Sequence, residues 1–148
     1  MEKAIICDID GCLIDSSFLL KEGKNKGLKD LALFEYFDKN LHRAKKLKGS
    51  KKYLNLILKG NRKIIFLTAR SEKTRAITYT QLNIFPPLIA RGFLLKMRPE
   101  NNTQSSAKYK ENVLKKIMKD FEIELAVDDE LTNVEMYKRN GINAKLWK

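Results

Sequence analysis

The chain has 148 residues, 43% hydrophobic and 32% charged, with a formal net charge of +12. That size suits one domain with a substantial core, no apolar run approaches a membrane span, and Met1-Glu2-Lys3 ahead of four apolar residues is no signal peptide. Cys7 and Cys12 lie too close in sequence to staple much and His42 is the only histidine, so neither a disulfide framework nor a Cys/His metal cluster is expected; a reduced, cytoplasmic protein is the simplest expectation.

Ala4-Ile5-Ile6-Cys7 predicts a short buried strand, closed by Asp8-Ile9-Asp10-Gly11. Just past a strand end the chain bends, so Asp8 and Asp10 can converge on one point. Two carboxylates and a backbone carbonyl there make a hard oxygen site suited to Mg²⁺, and a carboxylate beside such a metal can attack phosphorus. A polar turn after a strand is the duller alternative. Asp15 to Leu28, with its Ser, Gly, Asn and Lys, reads as an excursion or loop. Apolar residues from Leu28 to Leu47 recur at helical spacing, Gly49 breaks that helix, and Ser50 caps a short one containing Tyr53, Leu54, Ile57 and Leu58. Residues 13–60 thus form a small flap or helical excursion.

Gly60-Asn61 is a turn, and Ile64 to Leu67 is a second buried strand ending in Thr68-Ala69-Arg70-Ser71. Ser71 caps a helix running to about Leu82, and Pro86-Pro87 separates it from Leu88-Ile89-Ala90. Phe93 to Arg98 is a further strand, Asn101 to Ser106 a polar loop, and Ala107 to Asp120 a helix. Ile123 to Val127 is a strand ending in Asp128-Asp129, Thr132 to Asn140 a helix, and Asn143 to Trp147 the last strand. Strands alternating with helices predict an α/β fold with a mostly parallel sheet covered on both faces, and such sheets place their chemistry at the carboxyl ends of the strands. Asp8 and Asp10, Thr68 and Arg70, and Asp128 and Asp129 all sit at such ends.

Charge is uneven. From Lys39 to Ser71 there is no acid but eleven Lys and Arg residues, a field that attracts phosphates and polyanions. A solvated helix face is the alternative.

Asp8-x-Asp10-Gly11, Thr68-Ala69-Arg70, a lysine opening a late helix, and Asp128-Asp129 resemble, in order, the four motifs of the haloacid dehalogenase-like (HAD) hydrolase superfamily. The resemblance spans nearly the whole chain. It implies a three-layer α/β/α Rossmann-like HAD fold with a minimal cap, residues 1–148 forming a single phosphatase domain. It also implies a Mg²⁺-dependent phosphomonoesterase. Asp8 is then the nucleophile and a metal ligand, and Asp10 the general acid and base, with its backbone carbonyl on the metal. Thr68, Gly11 and Ala69 face the phosphoryl group, and Asp128 and Asp129 complete the metal shell. Among Lys108, Lys110, Lys115 and Lys116, Lys110 best matches the family's lysine-led helix start.

The late half, with Leu95 to Arg98 before the Lys110 helix, is similar to the 3′-phosphatase domains of phage polynucleotide kinase/phosphatases. That likeness implies phosphate contacts from Arg70 and Arg98, and nucleotides or nucleic-acid ends as partners. Cys12 and Ser106 depart from the pattern, and no phosphate-binding kinase loop exists. The rivals are a small-metabolite phosphatase or nucleotidase, and a nucleic-acid-binding protein on the same scaffold. Oligomeric state is not legible.

Overall fold

The computed structural model describes residues 1–148. Its centre is a five-stranded sheet of β1 (Glu2–Cys7), β4 (Lys63–Ser71), β5 (Leu94–Arg98), β6 (Phe121–Asp128) and β7 (Ala144–Leu146), in the order β5-β4-β1-β6-β7 with every pair parallel. Alternation decides which face each side chain serves. Ile5, Cys7, Ile64 and Phe66 point into one hydrophobic cluster, whereas Ala4, Ile6, Ile65 and Leu67 point into the other. The first cluster is roofed by α3 (Ser50–Ile57), α4 (Arg75–Leu82) and α5 (Pro86–Arg91), the second by α6 (Ser106–Ile117) and α7 (Leu131–Arg139). Apolar runs buried on both sides are what an all-parallel sheet demands. The three-layer α/β/α architecture of the HAD fold is the one observed.

The chain moves outward from β1 through β4 to β5, then crosses back to β6 and β7 on the other side. Strand order therefore reverses at β1, and the crevice at its carboxyl end is where ligands bind in open α/β sheets.

Between β1 and α3 the sequence expectations need correcting. The stretch from Asp15 to Leu28 contains a helix, α1 (Ser17–Asn25). Its Gly23 is a packing contact rather than a break, because a β-carbon there would press on Leu33 and Tyr36 of α2 (Asp30–Asn40). The helix expected from Leu28 to Leu47 stops at Asn40. Lys45–Lys46 instead forms β3, antiparallel to β2 (Ile14–Asp15), the Leu47 N–H donating to Leu13 at 2.8 Å. Pro86 opens α5, where a missing N–H costs nothing. No helix is long and apolar enough to cross a membrane.

Candidate active site

Asp8 follows directly on β1, and its backbone N–H still pairs with Val127 of β6 at 3.0 Å, so the sheet itself fixes where the carboxylate begins. Tyr53 of α3, fully buried, donates its hydroxyl to the Asp8 carbonyl at 3.1 Å. Lys110, on the first turns of α6, reaches across to donate to Asp8 Oδ1 at 3.2 Å and to Asp128 Oδ2 at 2.7 Å. The lysine side chain is 2% exposed. Burial alone would strip its proton, but Asp8 and Asp128 outweigh that and hold the ammonium well above the ordinary lysine value.

Asp128 is committed. Its Oδ2 also accepts from Asn133 Nδ2 at 3.1 Å and its Oδ1 from the Glu130 N–H at 3.0 Å. Asp129 instead turns toward Asp8, and with the Cys12 sulfur their ligand atoms lie within 4.8 Å of one another. Gly11, at φ +80°, makes room, since a β-carbon there would overlap the Asp129 carboxylate. Burial first, then carboxylate repulsion, pushes both Asp8 and Asp129 above the usual range, Lys110 opposing it. Three carboxylates facing one ammonium leave an excess of negative charge, which a hard divalent cation fits. Cys12 suits it poorly, because burial and those carboxylates keep its thiol protonated.

Asp10 lies apart from that cluster. Arg70 grips it with a two-pronged fork, Nε to Oδ2 at 2.9 Å and Nη2 to Oδ1 at 2.8 Å, while Ser16 Oγ donates to Oδ1 at 2.7 Å. Burial would raise its carboxyl, but the guanidinium prevails and holds it below the usual range. The remaining Arg70 nitrogen donates to Thr78 Oγ1 at 3.0 Å and Gln81 Oε1 at 2.7 Å, and the side chain is 1% exposed. Thr68, also buried, accepts the Arg70 N–H at 3.1 Å. Ala69 lies between them on β4.

The structure therefore gathers Asp8, Asp10, Gly11, Thr68, Arg70, Lys110, Asp128 and Asp129 at one end of the sheet. Arg98 stands apart, two strands from β1 at the end of β5; Nη1 donates to the Gln104 carbonyl at 2.8 Å and the guanidinium lies over the Tyr109 ring. Sequence reasoning missed the supports Ser16, Tyr53, Thr78, Gln81 and Asn133. Only Asn133 left a trace, as a polar residue on the inner side of an otherwise apolar helical stripe.

A model of the HAD superfamily, subfamily IIIB (acid phosphatase) matches residues 1–143. The chain belongs to this family. It is a phosphatase, and the family's members typically use a divalent metal. Among solved structures, that of the Pnkp1/Rnl/Hen1 RNA repair complex aligns with a TM-score of 0.72 at 23% identity, over 99% of this chain and 42% of that one. The haloacid dehalogenase-like hydrolase SP0104 from Streptococcus pneumoniae aligns with a TM-score of 0.60 at 15% identity, over 97% and 83%. A class C acid phosphatase from Bacillus anthracis with tungstate bound aligns with a TM-score of 0.55 at 18% identity, over 89% and 53%. These are likenesses of fold, and the HAD phosphatase chain spans less than half of the repair-complex chain that it matches. No curated protein matches it by sequence.

Proposed function

We propose that this phosphatase is a Mg²⁺-dependent phosphomonoesterase acting through an aspartyl-phosphate on Asp8, and that it removes a terminal phosphate, most specifically a 3′-phosphate, from a nucleotide or nucleic-acid end. The observation that carries this reading is the Asp8 carboxylate at the end of β1, with Lys110 on one side and Asp129 on the other. Asp8 and Asp129 would hold the cation, which supplies positive charge against the approach of an anionic phosphate. An Asp8 oxygen attacks phosphorus, the bond to the leaving oxygen breaks, and Asp10 gives that oxygen a proton. Asp10 then takes a proton from the water that attacks the phosphorus of the acyl phosphate, regenerating Asp8. The Thr68 hydroxyl orients the phosphoryl group and Lys110 neutralises it together with the nucleophile. Asp128, its oxygens spent on Lys110, Asn133 and the Glu130 N–H, positions the lysine.

The substrate class rests on three supports. Residues 13–60 hold three short helices, of which α3 packs on the sheet, and one two-stranded ribbon, too little to roof the site of a single domain, so a bulky phosphate ester can enter. The lysines at residues 45–52 favour a polyanion. The repair-complex structure carries this fold in an RNA-repair setting. Both cysteines are free and buried, in keeping with a cytoplasmic protein.

Phosphate release from a 3′-phosphorylated oligonucleotide, a 5′-phosphorylated one and mononucleotides tests the reading. Mg²⁺-dependent release that favours the 3′ end, reduced at least about a thousandfold by Asp8→Asn, is the expected result. Release from mononucleotides alone would return a nucleotidase, and binding without release would return the nucleic-acid-binding rival.

The carboxylate cluster also sets a pH dependence. Asp8 and Asp129 titrate above the ordinary 3.8, so the metal-free fold binds protons more tightly than the unfolded chain. Their contribution to stability is complete below 3.8 and is lost as pH rises through their folded values. In EDTA, Tm should therefore fall as pH rises above 3.8, and the rise produced by Mg²⁺ should grow over the same interval. Asp129→Asn should raise the metal-free Tm at pH 8 by about 2–4 °C and abolish the Mg²⁺ effect. An unchanged Mg²⁺ effect in that variant would remove Asp129 from the metal site.

A further inference from the structure

The acid-free basic run does not act as one surface. Arg43, Arg62 and Arg70 are bound to Glu22, Glu124 and Asp10. Helix α3 then carries the chain from one end of the sheet to the other. Tyr53, on its first turn, touches Asp8, whereas Lys59 lies beside Lys3, Arg62 and Glu124 and Lys63 pairs with Ala4, at the end remote from the site.

Five lysines are left at the catalytic end, within eight residues of one another: Lys45, Lys46, Lys48, Lys51 and Lys52. All five are exposed and none is in an ion pair. Lys45 lies opposite Asp15, the one acid in strands β2 and β3 and the neighbour of Ser16, whose hydroxyl holds Asp10. Lys51 and Lys52 precede Tyr53, and the Tyr53 ring meets Trp147 edge-on at 5.0 Å. Trp147 donates its backbone N–H to the Asp128 carbonyl at 2.9 Å, and Lys145 lies over its ring. The other walls are mixed. From Ser17 to Asn40 five lysines stand among four acids, and the start of α7 brings Asp129, Glu130 and Glu135.

We propose that Lys45, Lys46, Lys48, Lys51 and Lys52 form a track for the phosphodiester backbone of a single-stranded polynucleotide, leading away from Asp8 across the β2–β3 ribbon toward Trp147. The proposal rests on the terminal-phosphate reading above and adds the direction in which the strand leaves. Lys46 lies over the Phe85 ring, and the other four have no partner within the chain; ammonium groups on an open surface meet successive phosphates without reading sequence, so the track takes DNA and RNA alike.

Fluorescence anisotropy of a 5′-fluorescein 12-nucleotide oligomer ending in a 3′-hydroxyl tests it without relying on turnover. The rim variant replaces Lys45, Lys48, Lys51 and Lys52 with Gln. The control makes the same charge change at the remote end, at Lys3, Lys59, Lys63 and Lys119, the last in the turn that leads into the start of β6 beside Glu2. The rim variant should bind at least about tenfold more weakly at low salt, with a log–log salt slope smaller by about 3, while the control shifts affinity less than about twofold. The ratio of kcat/KM for a 3′-phosphorylated 12-mer to that for a mononucleoside 3′-phosphate should collapse toward one only in the rim variant. Equal weakening in both variants, or an unchanged slope in the rim variant, would overturn the track. If no 3′-phosphate is released at all, the terminal-phosphate reading fails and anisotropy still decides the track.

Discussion

Lys110→Met should stop turnover and weaken the fold together. The lysine is buried between Asp8 and Asp128, so its loss leaves two buried carboxylates without their counter-charge and brings Asp129 into unrelieved repulsion with both. Breaking a buried charge network by removing one partner costs about 3–5 kcal/mol. Removing a fixed donor aimed at developing transition-state charge costs about 10²–10³ in kcat, and more is expected here because Asp8, the nucleophile of the proposed mechanism, itself loses its partner. Two measurements separate these effects: urea melts in EDTA and in Mg²⁺, and kcat on a small phosphate ester under conditions where the variant is folded. Mg²⁺ should restore much of the stability, since it brings positive charge to the same carboxylates, and little of the turnover. A folded variant that keeps more than a tenth of kcat would exclude Lys110 from the chemistry. Lys108→Met, at an exposed position, should change neither quantity appreciably.

Much of this site was legible because its parts terminate apolar runs. Asp8, Thr68 and Asp128 each follow an apolar run in the sheet, and a parallel sheet aligns the ends of those runs whatever connects them. Lys110 was harder, since four lysines compete on that helix. Burial distinguishes it from Lys108, Lys115 and Lys116, and the sequence records burial there only as the i, i+4 spacing from Lys110 to Leu114, both of which face the sheet. What stayed hidden depends on contacts between distant segments. The stretch around Gly23 read as a loop because nothing local announces that Leu33 and Tyr36 will press against that glycine. The β2–β3 pairing joins residues 30 apart in two-residue strands, too short for any periodicity. Arg70 was legible as a phosphate ligand by resemblance, but its packing against Asp10, Thr78 and Gln81 required the fold of α4.

That packing leads to the second large effect. Arg70→Ala should lower kcat by about 10²–10³ and move the acid limb of the pH–rate profile upward. In the structure both Asp10 oxygens are taken by the Arg70 fork, and Ser16 adds a third bond. The guanidinium keeps Asp10 ionised, the form that in the proposed mechanism accepts a proton from water in the hydrolytic step. Without Arg70 the burial cost is opposed only by the Ser16 hydroxyl and the Lys110 charge, and the Asp10 carboxyl titrates higher, so the base form is depleted at a pH where the parent protein keeps it. Arg70→Lys should recover part of the charge but not the fork, and should place the acid limb between the two. Were Arg70 instead a ligand for substrate phosphate alone, its removal would raise KM and leave the limb where it was. The same fork constrains the first step of the proposed mechanism, because Asp10 could donate to the leaving oxygen only after it has left Arg70 and taken up a proton. An arriving phosphate competes for the guanidinium, so substrate binding itself would free the acid. Inorganic phosphate or tungstate should accordingly raise the Asp10 titration midpoint, followed by the carboxyl ¹³C resonance, in the parent protein and not in Arg70→Ala.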